Sequence, residues 1–187
     1  SSISLHMKLT SDKIFKTLVF LLIFTLPFQK RHIFFGLSPT LSGQFSEYMA
    51  IALYVSDILL VITLFWSIFT GKISKNLNKY WIFGLIALNT LFSLLVISPR
   101  GINDWYWGIK TLEWLILAIF VLNVSREATY RRFISISLVI TGVFQSLLAL
   151  GQFLVQHTLG LRILGEQVIG KYIDGVAKID LDGEKFI

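Results

Sequence analysis

Residues 46–70 read SEYMAIALYVSDILLVITLFWSIFT, and how this stretch is read decides the fold. It is apolar almost throughout, with Asp57 near its middle. At about 1.5 Å rise per residue a helix of this length is about 37 Å long, enough to cross a hydrocarbon core of about 30 Å with some tilt. Core helices of water-soluble proteins are seldom this long and apolar on every face. The stretch predicts a membrane span.

The rest of the chain has the same texture. Hydrophobic residues make up 55% and charged residues 15%, and the mean hydropathy is +0.72. Soluble domains carry about a quarter charged residues. With no Cys, a disulfide scaffold and a Cys-based metal site are excluded, and no metal site or cofactor is expected. The net charge of +6 resides in short basic clusters between apolar runs. That is the pattern of cytoplasmic loops, not of a nucleic-acid surface.

Four further runs, 14–28, 80–98, 105–124 and 133–156, predict an all-α polytopic bundle of five spans over 1–157. The first follows Lys8, Lys13 and Lys16 as a signal peptide would. No small-x-small cleavage site follows it, and the chain continues Pro27-Phe28-Gln29-Lys30-Arg31, so the helix is read as uncleaved. Gly36, Pro39 and Gly43 make 29–45 an irregular loop. Pro99-Arg100-Gly101 stops the third span.

Orientation follows from the basic residues. One set of connections carries Lys8, Lys13, Lys16, Lys72, Lys75, Lys79, Arg126, Arg131 and Arg132; the other carries only Lys30, Arg31 and Arg100. The N-terminus is therefore expected in the cytoplasm and the tail 158–187 outside. In the tail, Ala177, Ile179 and Leu181 alternate with Lys178, Asp180 and Asp182 ahead of Asp182-Gly183, a strand entering a hairpin. A bundle that ends part-way through a hairpin is expected to be the front part of a longer protein.

Few polar residues fall inside the apolar runs. Asp57, placed near the bilayer centre, must face protein or water. It is either a proton or ligand site or a structural hydrogen-bonding group, with Asn89, Thr90 or Gln145 as partners. Lys110 and Glu113 lie three apart in one span and share a face, so they can pair. The alternative is that Lys110 snorkels outward and joins Arg100 in offering positive charge to an anionic lipid head group. His32 and His157 have no nucleophile or base at useful spacing and read as interfacial. Gly165 to Tyr172 fits GxxxxGK but has Tyr172 where a magnesium-binding Ser or Thr is needed, so it is not a P-loop. Asp180-Leu-Asp182-Gly183-Glu184 lacks the last ligand of a calcium loop.

Three stretches resemble the O-antigen ligase and polymerase family: Leu26-Pro27-Phe28 closing the first run, Tyr54-Val-Ser-Asp57-Ile-Leu-Leu-Val with Trp66, and Ser146-Leu-Leu-Ala-Leu-Gly-Gln152-Phe153-Leu-Val-Gln156 followed by Leu159-Gly-Leu-Arg-Ile-Leu-Gly165-Glu166. The resemblance implies a multi-pass enzyme of the bacterial inner membrane. Such an enzyme moves a glycan from an undecaprenyl-pyrophosphate carrier to an acceptor, without a metal, and its partners are membrane lipids and the lipid-linked glycan. It also implies catalytic residues in an outer loop beyond Ile187, leaving Arg100 and Lys110 as the substrate-binding candidates here and this portion inactive alone. Cations at the outer interface would offset charge on the pyrophosphate leaving group. The competing expectations are a transporter or flippase using Asp57 and Glu113, and a purely structural membrane protein.

Overall fold

The computed structural model describes residues 2–28, 30–34, 40–41, 44–45, 50–73, 80–97, 101–155, 159–161, 179–181 and 184–186. The chain is mostly helical. Helix α1 (Ser2–Thr25) leads to strand β1 (Arg31–Ile33), the short pair β2 (Thr40–Leu41) and β3 (Gln44–Phe45), and strand β4 (Ala52–Tyr54). Then come α2 (Val55–Phe69), α3 (Trp81–Phe92) with a π-helical turn over Ser93–Ile97, α4 (Ile102–Val124) and α5 (Ala128–Val155). Strands β5 (Ile179–Leu181) and β6 (Glu184–Phe186) pair antiparallel, Ile179 opposite Phe186, where the sequence alternation ends at Asp182-Gly183.

Helices α4 and α5, of 23 and 28 residues, are long and apolar enough to cross a membrane, and only 22% and 17% of their most apolar windows are buried. α2 and α3 are apolar but shorter. Phe69, Leu154, Ile68 and Val61 are each at least 66% exposed, a surface suited to lipid and not to water.

Contacts between the helices fix their relative directions. Lys72, just past α2, meets Asp12 of α1, so α1 and α2 run antiparallel. Asp57 in the first turn of α2 meets Lys110 in the first half of α4, and Phe15 meets Phe120 further along. Leu94 packs on Gly108 while Tyr80 lies against Arg126, so α3 opposes α4. α5 runs with α1: Tyr130 is at Phe15 and Phe144 at Phe24. The five helices therefore alternate, and the bundle has an Asp12 end and an Asp57 end.

The core gathers Phe15, Val19, Leu22 and Ile23 from one face of α1, Leu60 from α2, Phe120 and Val124 from α4, and Tyr130 and Ile134 from α5. Buried Thr63 and Ser67 of α2, and Ser137 and Thr141 of α5, each donate to a carbonyl four residues back in their own helix. Their small side chains let helices approach closely while no hydroxyl is left unsatisfied. Gly108 serves the same end, because a Cβ there would collide with the Leu94 side chain.

The expected helix over 46–70 is corrected. The helical part begins at Val55, preceded by the strand Ala52–Tyr54. Fifteen residues make a helix of about 22 Å, short of a bilayer core of about 30 Å. Two local reasons set this start. Residues 31–33, expected to be irregular, offer a strand edge on which Ala52, Leu53 and Tyr54 pair with Ile33, His32 and Arg31. Asp57 then reaches back to accept the Tyr54 N–H at 2.9 Å, the acidic half of a capping box. Asp57 thus lies in the first turn of its helix and not at the middle of it. The first helix, expected over 14–28, begins at Ser2, and the third, expected over 80–98, ends in the π turn. Arg100, His157 and the stretch 162–178 lie outside the described residues.

Candidate functional site

The Asp57 end is built from three segments far apart in sequence. The β1–β4 ribbon bridges the end of α1 to the start of α2, with Phe34 N–H donating to Ile51 O at 2.9 Å and Val55 N–H to Lys30 O at 3.1 Å. α4 is tied to this ribbon by the Tyr106 hydroxyl, which donates to Ala52 O at 2.9 Å. Asp104, in the first turn of α4, accepts from Gly101 N–H at 3.2 Å, so both helices starting at this end carry an acid three residues past the cap.

Lys110 occupies the middle of the site. Its ammonium donates to Asp57 Oδ2 and, at 2.9 Å, to Glu113 Oε2. It also lies over the Tyr54 ring at 5.0 Å and near Tyr106 at 5.9 Å. Side-chain exposure is 12% for Lys110, 14% for Asp57 and 24% for Glu113, so this is a half-sealed ion triad with two acids to one amine. The Arg31 guanidinium lies 5.9 Å from the centre of the Tyr54 ring and donates to its hydroxyl at 3.2 Å. A cavity of about 270 Å³ opens on the triad, with Leu22, Leu60 and Leu117 as apolar wall and Trp107 and Trp114 at its side.

The Lys110–Glu113 pairing expected from spacing is present. Lys110 turns inward to the carboxylates instead of snorkelling outward. The partner of Asp57 is Lys110 and not Asn89, Thr90 or Gln145: the Thr90 hydroxyl donates to Ile86 O in its own helix. Gln145 Nε2 has no partner among the described residues. Tyr54, Tyr106 and Arg31 were not singled out from sequence. Tyr106 precedes Lys110 by four residues and Tyr54 precedes Asp57 by three, helix-neighbour spacings that would have placed both beside the charges.

A second cluster holds the Asp12 end together. Asp12 accepts from Lys16 at 2.8 Å and from Lys72 at 2.8 Å, and the Tyr130 hydroxyl also donates to it while Lys72 donates to Tyr130. Lys72 also lies over the Tyr130 ring at 4.8 Å. Asp12 precedes the apolar run 14–28. Burial pushes its carboxyl up, but the hydrogen bonds from Lys16, Lys72 and Tyr130 outweigh that and hold it well below the usual carboxylate range. Burial pushes the Lys72 ammonium down, and its bonds to Asp12 and Tyr130 more than reverse this, so it stays charged above its ordinary range.

No family model, no curated protein and no solved structure matches this chain. Among the described residues no group of three or more His, Cys, Asp or Glu side chains could hold a metal ion.

Proposed function

We propose that this chain is the N-terminal membrane portion of an O-antigen ligase-like protein, which passes a glycan from an undecaprenyl-pyrophosphate carrier to an acceptor. In this reading the five-helix bundle sits in the bacterial inner membrane, with α4 and α5 as its full-length spans, the Asp12 end toward the cytoplasm and the Asp57 end toward the outside. The orientation is supported by Lys8, Lys13, Lys16, Lys72, Arg126, Arg131 and Arg132 falling at or near the Asp12 end.

The observation that carries the reading is convergence. Two of the stretches that resemble the family, separate in sequence, supply one cavity: Leu26 from the first, and Tyr54, Ser56 and Asp57 from the second. Lys110 lines the same cavity but is committed to two carboxylates, so any pyrophosphate contact from this bundle falls mainly to Arg100. The role assigned to this bundle is to form the wall of the site and to fix its outer rim.

The test uses the intact protein reconstituted with an undecaprenyl-pyrophosphate-linked glycan and an acceptor sugar. Transfer, with release of the lipid pyrophosphate, is expected, and it should fall at least tenfold in Arg100→Ala. Failure of the intact protein to consume the donor under conditions that keep it folded would sink the proposal.

One observation favours a second reading, a carrier without covalent chemistry. The triad has an excess of acid, which repels a pyrophosphate and suits a proton or cationic cargo. Movement of a lipid-linked glycan or an ion across proteoliposomes, with no covalent product and with dependence on Asp57 or Glu113, would establish it instead.

A further inference from the structure

The triad at the Asp57 end has one ammonium for two carboxylates, and the three side chains are between 12% and 24% exposed. With all three ionised, the cluster would leave a net negative charge beside the apolar wall formed by Leu22, Leu60 and Leu117. Two carboxylates on one ammonium also repel each other, and a proton shared with the cluster relieves that repulsion. Among the described residues, Lys110 is the cation bonded to either acid.

The two acids are not equivalent. Asp57 Oδ2 accepts two bonds, one from Lys110 and one from the Tyr54 backbone N–H at 2.9 Å, and it lies in the first turn of α2 where the helix dipole favours an anion. Glu113 lies three turns into α4, accepts from one donor, Lys110, and stands in hydrogen-bonding contact with the Asp57 carboxyl. Each difference leaves Glu113 as the acid with fewer donors, and so as the group that takes the proton. The other facing groups do not change this ranking. From β4 comes Tyr54, whose hydroxyl accepts from Arg31 of β1; from α4 comes Tyr106, whose hydroxyl is given to Ala52 O; α1 contributes only Leu22 and Leu26. The cavity of about 270 Å³ gives water access to the carboxyl.

We propose that Glu113 is a proton-binding site: it holds an exchangeable proton against a fixed Asp57–Lys110 ion pair and exchanges it with water in the cavity. In the step an O–H bond forms on the Glu113 carboxylate as one breaks on a hydronium ion in the cavity, leaving water, and deprotonation is the reverse. The assignment holds for a transferase and for a carrier alike, since it rests on the triad and not on the cargo.

Infrared difference spectroscopy on the intact protein in lipid nanodiscs tests it, with pH as the variable. A carboxylic-acid C=O band is expected at neutral pH and should bleach as the pH is raised. It should vanish in Glu113→Gln, move to lower pH in Asp57→Asn, where the repelling charge is gone, and persist in Asp104→Asn. Thermal unfolding gives a second readout that needs no spectral assignment. Glu113→Gln mimics the protonated acid and should keep the wild-type midpoint at neutral pH, whereas Lys110→Met should lower it. The proposal is overturned if the wild-type protein shows no such band at neutral pH, if the band survives Glu113→Gln, or if sodium at constant pH removes it. It is also overturned if Glu113→Gln destabilises as much as Lys110→Met.

Discussion

At the Asp57 end one ammonium, Lys110, is shared by two carboxylates; at the Asp12 end one carboxylate is shared by two ammoniums, Lys16 and Lys72. Each cluster ties helices together, and each uses a tyrosine hydroxyl as an extra tie, Tyr106 to the ribbon and Tyr130 to Asp12. They differ in burial and in sign. Lys110 and Asp57 are 12% and 14% exposed, against 26% and 32% for Lys72 and Asp12. The more open cluster carries surplus positive charge, which water can solvate. The tighter one has one acid more than amine beside a cavity, an excess that is expensive there unless it binds a proton or another cation. Similar ion-pair chemistry is thus a fastener at one end and a candidate site at the other, and burial with net charge makes the difference.

The largest test of that contrast is Lys110→Met, which leaves both acids without their amine in a half-sealed pocket. It should lower unfolding stability by about 3–5 kcal/mol, measured by thermal or denaturant unfolding in detergent. Replacing all three groups (Lys110→Met, Asp57→Asn and Glu113→Gln together) should recover much of that loss. If the triple variant is no better than the single one, the charge argument is wrong and packing of the Lys110 stem is what matters.

The two tyrosines give the next largest effects. Tyr106→Phe removes one hydrogen bond to Ala52 O and should cost about 1 kcal/mol, with faster hydrogen exchange in Ala52–Tyr54. Tyr130→Phe should be of similar size but leave exchange in the ribbon unchanged, since its bonds lie at the other end. Equal effects of both variants on the ribbon would mean that the ends are not independent.

The smallest effect is expected for Asp12→Asn, whose partners are about a third exposed: under about 1 kcal/mol, and less in high salt. Its pH dependence has a definite sign. The Asp12 carboxyl is depressed in the folded protein, so its stabilisation is present above the ordinary value of 3.8 and is lost as pH falls below it. Lys72 is raised, so its contribution is present below 10.5 and is lost as pH rises beyond that. A pH series of thermal midpoints should therefore show a plateau between these limits, and Asp12→Asn should flatten the acid limb. An unchanged acid limb in the variant would assign that limb to other groups.

What could be read from sequence was set by separation along the chain. The pairing of Lys110 with Glu113 was legible because residues three apart meet on any helix. Lys72 to Asp12 spans 60 residues, Lys110 to Asp57 spans 53, and Tyr130 to Asp12 spans 118, and no local rule connects them. The misplacement of Asp57 has a similar source. Ala52-Leu53-Tyr54-Val55 is apolar and suits a helix or a strand, and only the edge offered by Arg31–Ile33 decides for the strand.

By itself the sequence determined that this is a helical chain with apolar surfaces, where the basic residues cluster, and which few polar groups interrupt the apolar runs. Hydropathy and charge act residue by residue, so they survive without knowledge of the fold. The tertiary structure decided where α2 begins, that Asp57, Lys110 and Glu113 share one cavity, and that the two ends of the bundle combine acids and amines in opposite ratios. Those are properties of groups brought together by packing, and their energies depend on the neighbours and the dielectric that packing supplies.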